Sequence, residues 1–114
     1  MAEKRTGFYF GTEVDGKWYK RYMGKGMVLR GLGKYWLDDH GLYFLRHLTT
    51  RPLFIPFSEI KDVRRGEWHS GRWGQGNVVI KIIWGDGLSS GFILGKDKDE
   101  AGEIIKDLQS RISQ

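Results

Sequence analysis

Cysteine is absent from the 114 residues. That excludes disulfide bridges, thiolate metal sites and a thiol nucleophile. Proline occurs only twice, and no proline-rich linker or low-complexity tract divides the chain. No apolar run approaches the roughly 18 residues of a membrane-spanning helix. Residues 1–13 are too polar for a secretory signal, so the cytoplasm is the expected compartment. Catalytic signatures are missing as well. His40, His47 and His69 are scattered, with no His-x-x-x-His pair, no Gly-x-Ser-x-Gly elbow and no Gly-x4-Gly-Lys-Ser/Thr phosphate loop. Asp38 and Asp39 beside His40 read as a turn, not a metal site. Gly24-Lys25-Gly26 and Gly31-Leu32-Gly33-Lys34 punctuate strands without opening a helix. The expectation is a protein that is not an enzyme and carries no metal or cofactor.

Abundance lies elsewhere. There are 17 glycines, five Trp, five Tyr and six Phe, the profile of a turn-rich β domain. At this length one domain, residues 1–114, can bury roughly two thirds of its unfolded surface. The net charge is +5, from 19 basic and 14 acidic residues. Residues 1–36 hold eight of the basic groups against Glu3, Glu13 and Asp15. Lys61, Arg64, Arg65 and Arg72 form a second basic group, opposed by Asp62 and Glu67. Such a surface suits phosphate or an acidic partner, but the excess is too small to make nucleic acid the expected partner.

Strand signals run to about residue 95. Residues 7–14 alternate, with Phe8, Phe10, Thr12 and Val14 on one face. Asp15-Gly16 makes a tight turn into a return strand at 17–23, which completes an N-terminal hairpin. Further strands are expected at 27–30, 33–38, 42–47, 53–57, 58–65, 77–84 and 88–94. Pro56 cannot donate to a ladder, so it belongs at an edge or bulge. In the 58–65 strand Ile60 and Val63 point inward. Val or Ile at 78, 79, 80, 82 and 83 makes 77–84 the clearest strand, covered on both faces. Asp39-His40-Gly41 and Gly85-Asp86-Gly87 are turns. Asp97 with Glu100 three residues on has the capping-box relation. Ala101, Ile104, Ile105, Leu108 and Ile112 recur at helical spacing, so residues 97–112 form one amphipathic helix covering the sheet.

Two motifs carry a family likeness. One is the strand-turn-strand from Gly33 to Phe44 that ends in Leu42-Tyr43-Phe44. The other is Ile55-Pro56-Phe57-Ser58-Glu59-Ile60-Lys61-Asp62-Val63, an isoleucine-proline followed by E-I-x-x-V. With the final hairpin and helix they resemble the pleckstrin-homology-like (PH-like) superfold, and within it the GRAM-like and bacterial members. The resemblance covers about residues 27–113 and implies a mainly β fold. That fold is an antiparallel barrel or sandwich (barrel strands 27–95) capped by the helix, with the 7–23 hairpin as an addition. It also implies a non-catalytic binding module. Lipid-binding members place basic residues in the loop between their first two strands, where this chain has Arg30 and Lys34, with Lys25 just before.

Residues 64–76 are the most unusual stretch, with three Arg, two Trp, one His and four Gly. Long glycine-rich loops in compact domains are usually functional. Arg64, Arg65, Arg72 and His69 would supply donors to an anion, with Trp68 and Trp73 as walls. In the competing reading the indoles fold back as a structural lid. Phe8, Phe10, Trp18 and Tyr22 of the hairpin are candidate interface residues. The expected function is therefore recognition of a protein partner or of a second copy. The alternative is peripheral binding of anionic lipid headgroups through the basic loops.

Overall fold

The computed structural model describes residues 4–14, 17–21, 31–50, 52–66, 68–69, 72–73, 78–95 and 97–112. Among the described residues, ten strands precede one helix. They are β1 (Arg5–Val14), β2 (Lys17–Arg21), β3 (Gly31–Leu37), β4 (Gly41–Arg46), β5 (Leu53–Pro56), β6 (Ile60–Gly66), β7 (Trp68–His69), β8 (Arg72–Trp73), β9 (Val79–Trp84) and β10 (Leu88–Leu94). The helix α1 spans Lys98–Ile112, and a 3-10 turn at Phe57–Glu59 joins β5 to β6. Seven strands lie side by side in the order β5-β4-β3-β1-β10-β9-β6, every pair antiparallel. β7 and β8 form a separate two-stranded ribbon.

The N-terminal hairpin is built in, not added on. Residues 5–9 of β1 pair with β3, residues 13–14 pair with β2, and residues 7–14 pair with β10 on the opposite side. β1 therefore joins the two halves of the sheet. Its alternation differs from the sequence expectation, because the register with β10 slips between Tyr9 and Gly11. Gly11 takes φ +113° there, in the half of backbone space that favours glycine. The extra residue of this bulge puts Tyr9 and Thr12 on the core side. Phe8 and Phe10 take the other side, their rings edge to face at 5.0 Å.

The sheet wraps around one core. Phe44 of β4 and Phe92 of β10 are separated by two strands along the ladder, yet their ring centroids lie 5.7 Å apart, with Tyr9 touching both. Edge strands β5 and β6 contribute Ile55 and Val63 to the same cluster. The 3-10 turn ties the two ends together: Phe57 N donates to His40 O, and Gly85 N donates to Glu59 O. Two local expectations meet their physical cause here. Pro56 ends edge strand β5. Ile60 and Val63 are both buried at a spacing of three because the β6–β9 register shifts between Ile60 and Asp62.

α1 presents the expected stripe, with Ala101, Ile104, Ile105 and Leu108 buried and Ile112 packed at the margin. Asp97 Oδ1 accepts from Glu100 N at 2.8 Å, the cap read from sequence. The Glu100 carboxylate turns to Arg5 of β1. Gln109 Nε2 donates to Val63 O, pinning the helix to β6.

A buried polar chain crosses the core behind the bulge. Tyr9 OH bonds Thr12 Oγ1 (2.5 Å), which bonds Ser90 Oγ (2.6 Å), and Trp84 Nε1 donates to Ser90 Oγ (2.9 Å). Ser90→Ala leaves the Thr12 hydroxyl and the Trp84 N–H each short of a partner. It should destabilise the fold by about 2–3 kcal/mol, read as a lower urea midpoint at unchanged m-value.

Candidate functional site

Of the basic residues singled out in the sequence, Lys34 and the pair Arg64 and Arg65 stand on separate strands. Lys34 sits inside β3, not in a loop, with Nζ on Thr6 Oγ1 at 2.8 Å. Arg64 and Arg65 are exposed on β6. Along the ladder β1, β10 and β9 lie between the two groups. Arg64 Nε pairs with Asp62 Oδ2 at 2.7 Å, and this exposed contact draws the Asp62 carboxyl below its usual range. Lys25 and Arg30 lie outside the described residues, as do Tyr22, the Asp15-Gly16 turn and the strand expected at 27–30.

The glycine-rich segment contains the β7–β8 ribbon, where a loop was expected. Trp68 stands opposite Trp73 and His69 opposite Arg72 in its register. Among the interface candidates, Phe10 is 1% exposed and Phe8 half-buried. Phe10 therefore does not present a free surface. Trp18 is placed in β2 by its backbone.

Asp38 and His40 belong to a turn. Asp38 Oδ1 accepts from His40 N and Gly41 N at 2.8 and 3.2 Å, and the first of these bonds holds its carboxyl below the ordinary value. The strands flanking this turn, with neighbouring β5, carry an outward stack that the sequence reading did not single out. Trp36 and Tyr43 lie parallel at 5.2 Å, Tyr43 and Phe54 stack at 4.6 Å, and Lys4 Nζ sits 4.8 Å from the Trp36 ring.

A concave feature that the sequence reading did not single out lies among the described residues. It is an open trough between α1 and the neighbouring segments of β1 and β3. One cavity of about 1050 Å³ includes Phe8, Leu32, Ile93 and Asp97 in its walls, and a second of about 320 Å³ includes Leu37 and Asp107. They meet at Arg5, Tyr35, Glu100 and Glu103, which line both. Arg5 and Tyr35 are register partners across β1 and β3. Room for the Tyr35 ring comes from Gly7, where a Cβ would stand 2.9 Å from Tyr35 Cδ1. Arg5 reaches Glu100 at 3.4 Å, a long and exposed ion pair of small energetic value.

Beneath that pair the Tyr35 hydroxyl is buried and has no hydrogen-bond partner. Burial pushes its pKa above the ordinary 10.0. The Arg5 guanidinium and the Gly95 backbone pull it the other way without reaching hydrogen-bonding geometry. No local motif flagged these residues. Glu100 was legible only as part of a helix cap, and Tyr35 only as part of a strand.

Residues 1–109 match the family model described as bacterial PH domain-like. The chain belongs to that family. The match takes in the residues of the N-terminal hairpin, whereas the likeness drawn from motifs began at residue 27. The antiparallel sheet with a single C-terminal helix agrees with the PH-like fold. No curated protein matches the chain. Among the described residues no helix is long and apolar enough to cross a membrane.

The orphan hydroxyl has a measurable signature. Tyr35→Phe removes a buried polar atom without a partner and keeps the ring, so it should raise unfolding free energy by about 1 kcal/mol. Because the folded pKa is raised, the stability that depends on the neutral phenol is complete below pH 10 and is lost as pH rises through the folded value. Denaturant titrations on both sides of pH 10 should show a smaller alkaline loss in the variant.

Proposed function

We propose that this PH-like domain is a non-catalytic recognition module whose partner is a protein, held in the trough between α1, β1 and β3. The observation that carries this reading is the trough itself, an open concavity of about 1050 Å³ lined by apolar Phe8, Leu32 and Ile93 and by charged Arg5, Asp97, Glu100 and Glu103. Apolar contact beside charged groups suits a protein interface.

Strand addition is a weaker route to an interface here, for self-association as well as for a partner. β5 is four residues long and ends in Pro56, with Pro52 just before it. β6 is bulged, and Gln109 occupies its Val63 carbonyl. Both edges carry the devices that discourage pairing. An anionic headgroup is also less well served. Lys34 is engaged with Thr6, and Arg64 with Asp62. Those two groups do not share a strand pair.

Site-specific photo-crosslinking in the native cell tests the reading. A benzoylphenylalanine placed at Leu32, exposed on the trough wall, should give a discrete protein adduct. The same group at the fully exposed Leu48 should not. Anionic phosphatidylserine vesicles should fail to sediment the protein at low or high salt. An adduct pattern identical at both positions, or salt-sensitive sedimentation, would overturn the proposal in favour of another surface or of a headgroup.

A further inference from the structure

The chemistry of the trough selects among partner segments. Among the described residues, Asp97, Glu100, Glu103 and Asp107 stand around the junction of the two cavities, together with the guanidinium of Arg5. The chain as a whole is basic, so this acidic lining runs against its overall charge. An acidic lining alone would be an ordinary solvated helix face. The second, independent observation is the Tyr35 hydroxyl, 2% exposed as a residue, lining both cavities and without a hydrogen-bond partner. Native folds rarely leave such a group unsatisfied. Here it lies where a ligand's polar atom would complete it.

Charge decides which atom. An anion would gain Arg5 and the phenol but would face four carboxylates. A cation gains the carboxylates and donates an N–H to the phenol oxygen. The Arg5–Glu100 contact is long, at 3.4 Å, and exposed, so a better-placed cation can compete for the Glu100 carboxylate.

Length is set by the helix. Asp97 and Asp107 bound the trough along α1, a span of about 15 Å at 1.5 Å per residue. That is the reach of four or five extended residues. Phe8, Leu32, Ile93 and Leu37 offer apolar contact along it.

We infer that the trough takes an extended segment of a partner protein, four or five residues long, in which one Lys or Arg between apolar neighbours reaches the Tyr35 hydroxyl and pairs with Glu100 and Glu103. The inference rests on the trough reading given above and adds the chemistry of the partner.

The test is an amide-shift titration of the full chain by NMR with two capped tetrapeptides, Val-Arg-Leu-Val and Val-Glu-Leu-Val. The basic peptide should shift the amides of Tyr35, Glu100 and Glu103 in a saturable way, more weakly at high salt. Tyr35→Phe and Glu103→Gln should each weaken its affinity about fivefold, while Tyr35→Phe makes the protein more stable. A merely structural tyrosine would not move affinity and stability in opposite directions. Equal shifts of the same amides by the acidic peptide would overturn the cationic class and leave the trough reading standing. Shifts confined to β6–β8, or none with either peptide, would overturn the inference and the trough reading together.

Discussion

The one-residue bulge in β1 is the constraint on which the rest depends. A regular strand would put Tyr9 and Thr12 on opposite faces, since side chains alternate with period two. The slip at Phe10, made affordable by Gly11 at φ +113°, puts both toward the interior. Thr12 can then link Tyr9 to Ser90, and Ser90 receives the Trp84 N–H. Three neighbouring strands, β1, β10 and β9, become locked in one register by a chain in which each hydroxyl has a partner. Among the described residues, the β5-β4-β3 half meets the β10-β9-β6 half along the ladder through β1. An error of one residue there would turn every side chain beyond it to the wrong face.

The trough is a consequence of that register and of the helix cap. The first half of β1 sets Arg5 against Tyr35. Asp97 fixes where α1 begins, and the buried stripe from Ala101 to Leu108 fixes its rotation. Gln109 on Val63 O holds the far end. With rotation and start both set, Glu100 and Glu103 have no freedom to leave the wall that faces Arg5. The Tyr35 hydroxyl lies at the junction of these elements as a local loss of stability. Bulge, core and cap over-determine its position, as is typical where a site is kept at the expense of the fold.

What could be read in the sequence was local. The closing helix, its Asp97 cap and its stripe depend on residues three or four apart. The Gly85-Asp86-Gly87 turn with β10 depends on contiguous ones, and all of these are present as read. Phe10 was assigned a face it shares only with Phe8, because alternation cannot register a bulge that one glycine permits. Residues 31–32 were left between two expected strands because Gly31 and Gly33 read as punctuation. They pair with β1 all the same, since a strand covered by neighbours on both sides tolerates small residues. The ribbon was read as a loop because its two rungs are too short to show a period. The trough was illegible for another reason. Arg5, Tyr35 and Glu100 are 30 and 65 positions apart, and no pattern within a window of ordinary length brings them together. They meet only because β1 runs between β3 and β10 while α1 returns across the sheet.

The charge layout then acquires a logic that composition alone obscured. Residues 97–112 carry five acidic groups and three basic ones in a chain of net charge +5. A basic partner segment meets an unfavourable net charge on the chain as a whole and a favourable one at the trough. Screening confines each effect to about 8–10 Å at physiological salt, so the trough's carboxylates act locally and the surrounding excess does not cancel them. Discrimination of this kind comes as much from unfavourable encounters elsewhere as from the favourable one. The excess of lysine and arginine, which first suggested an anion site, serves on this view to direct a cationic segment to the acidic wall beside Tyr35.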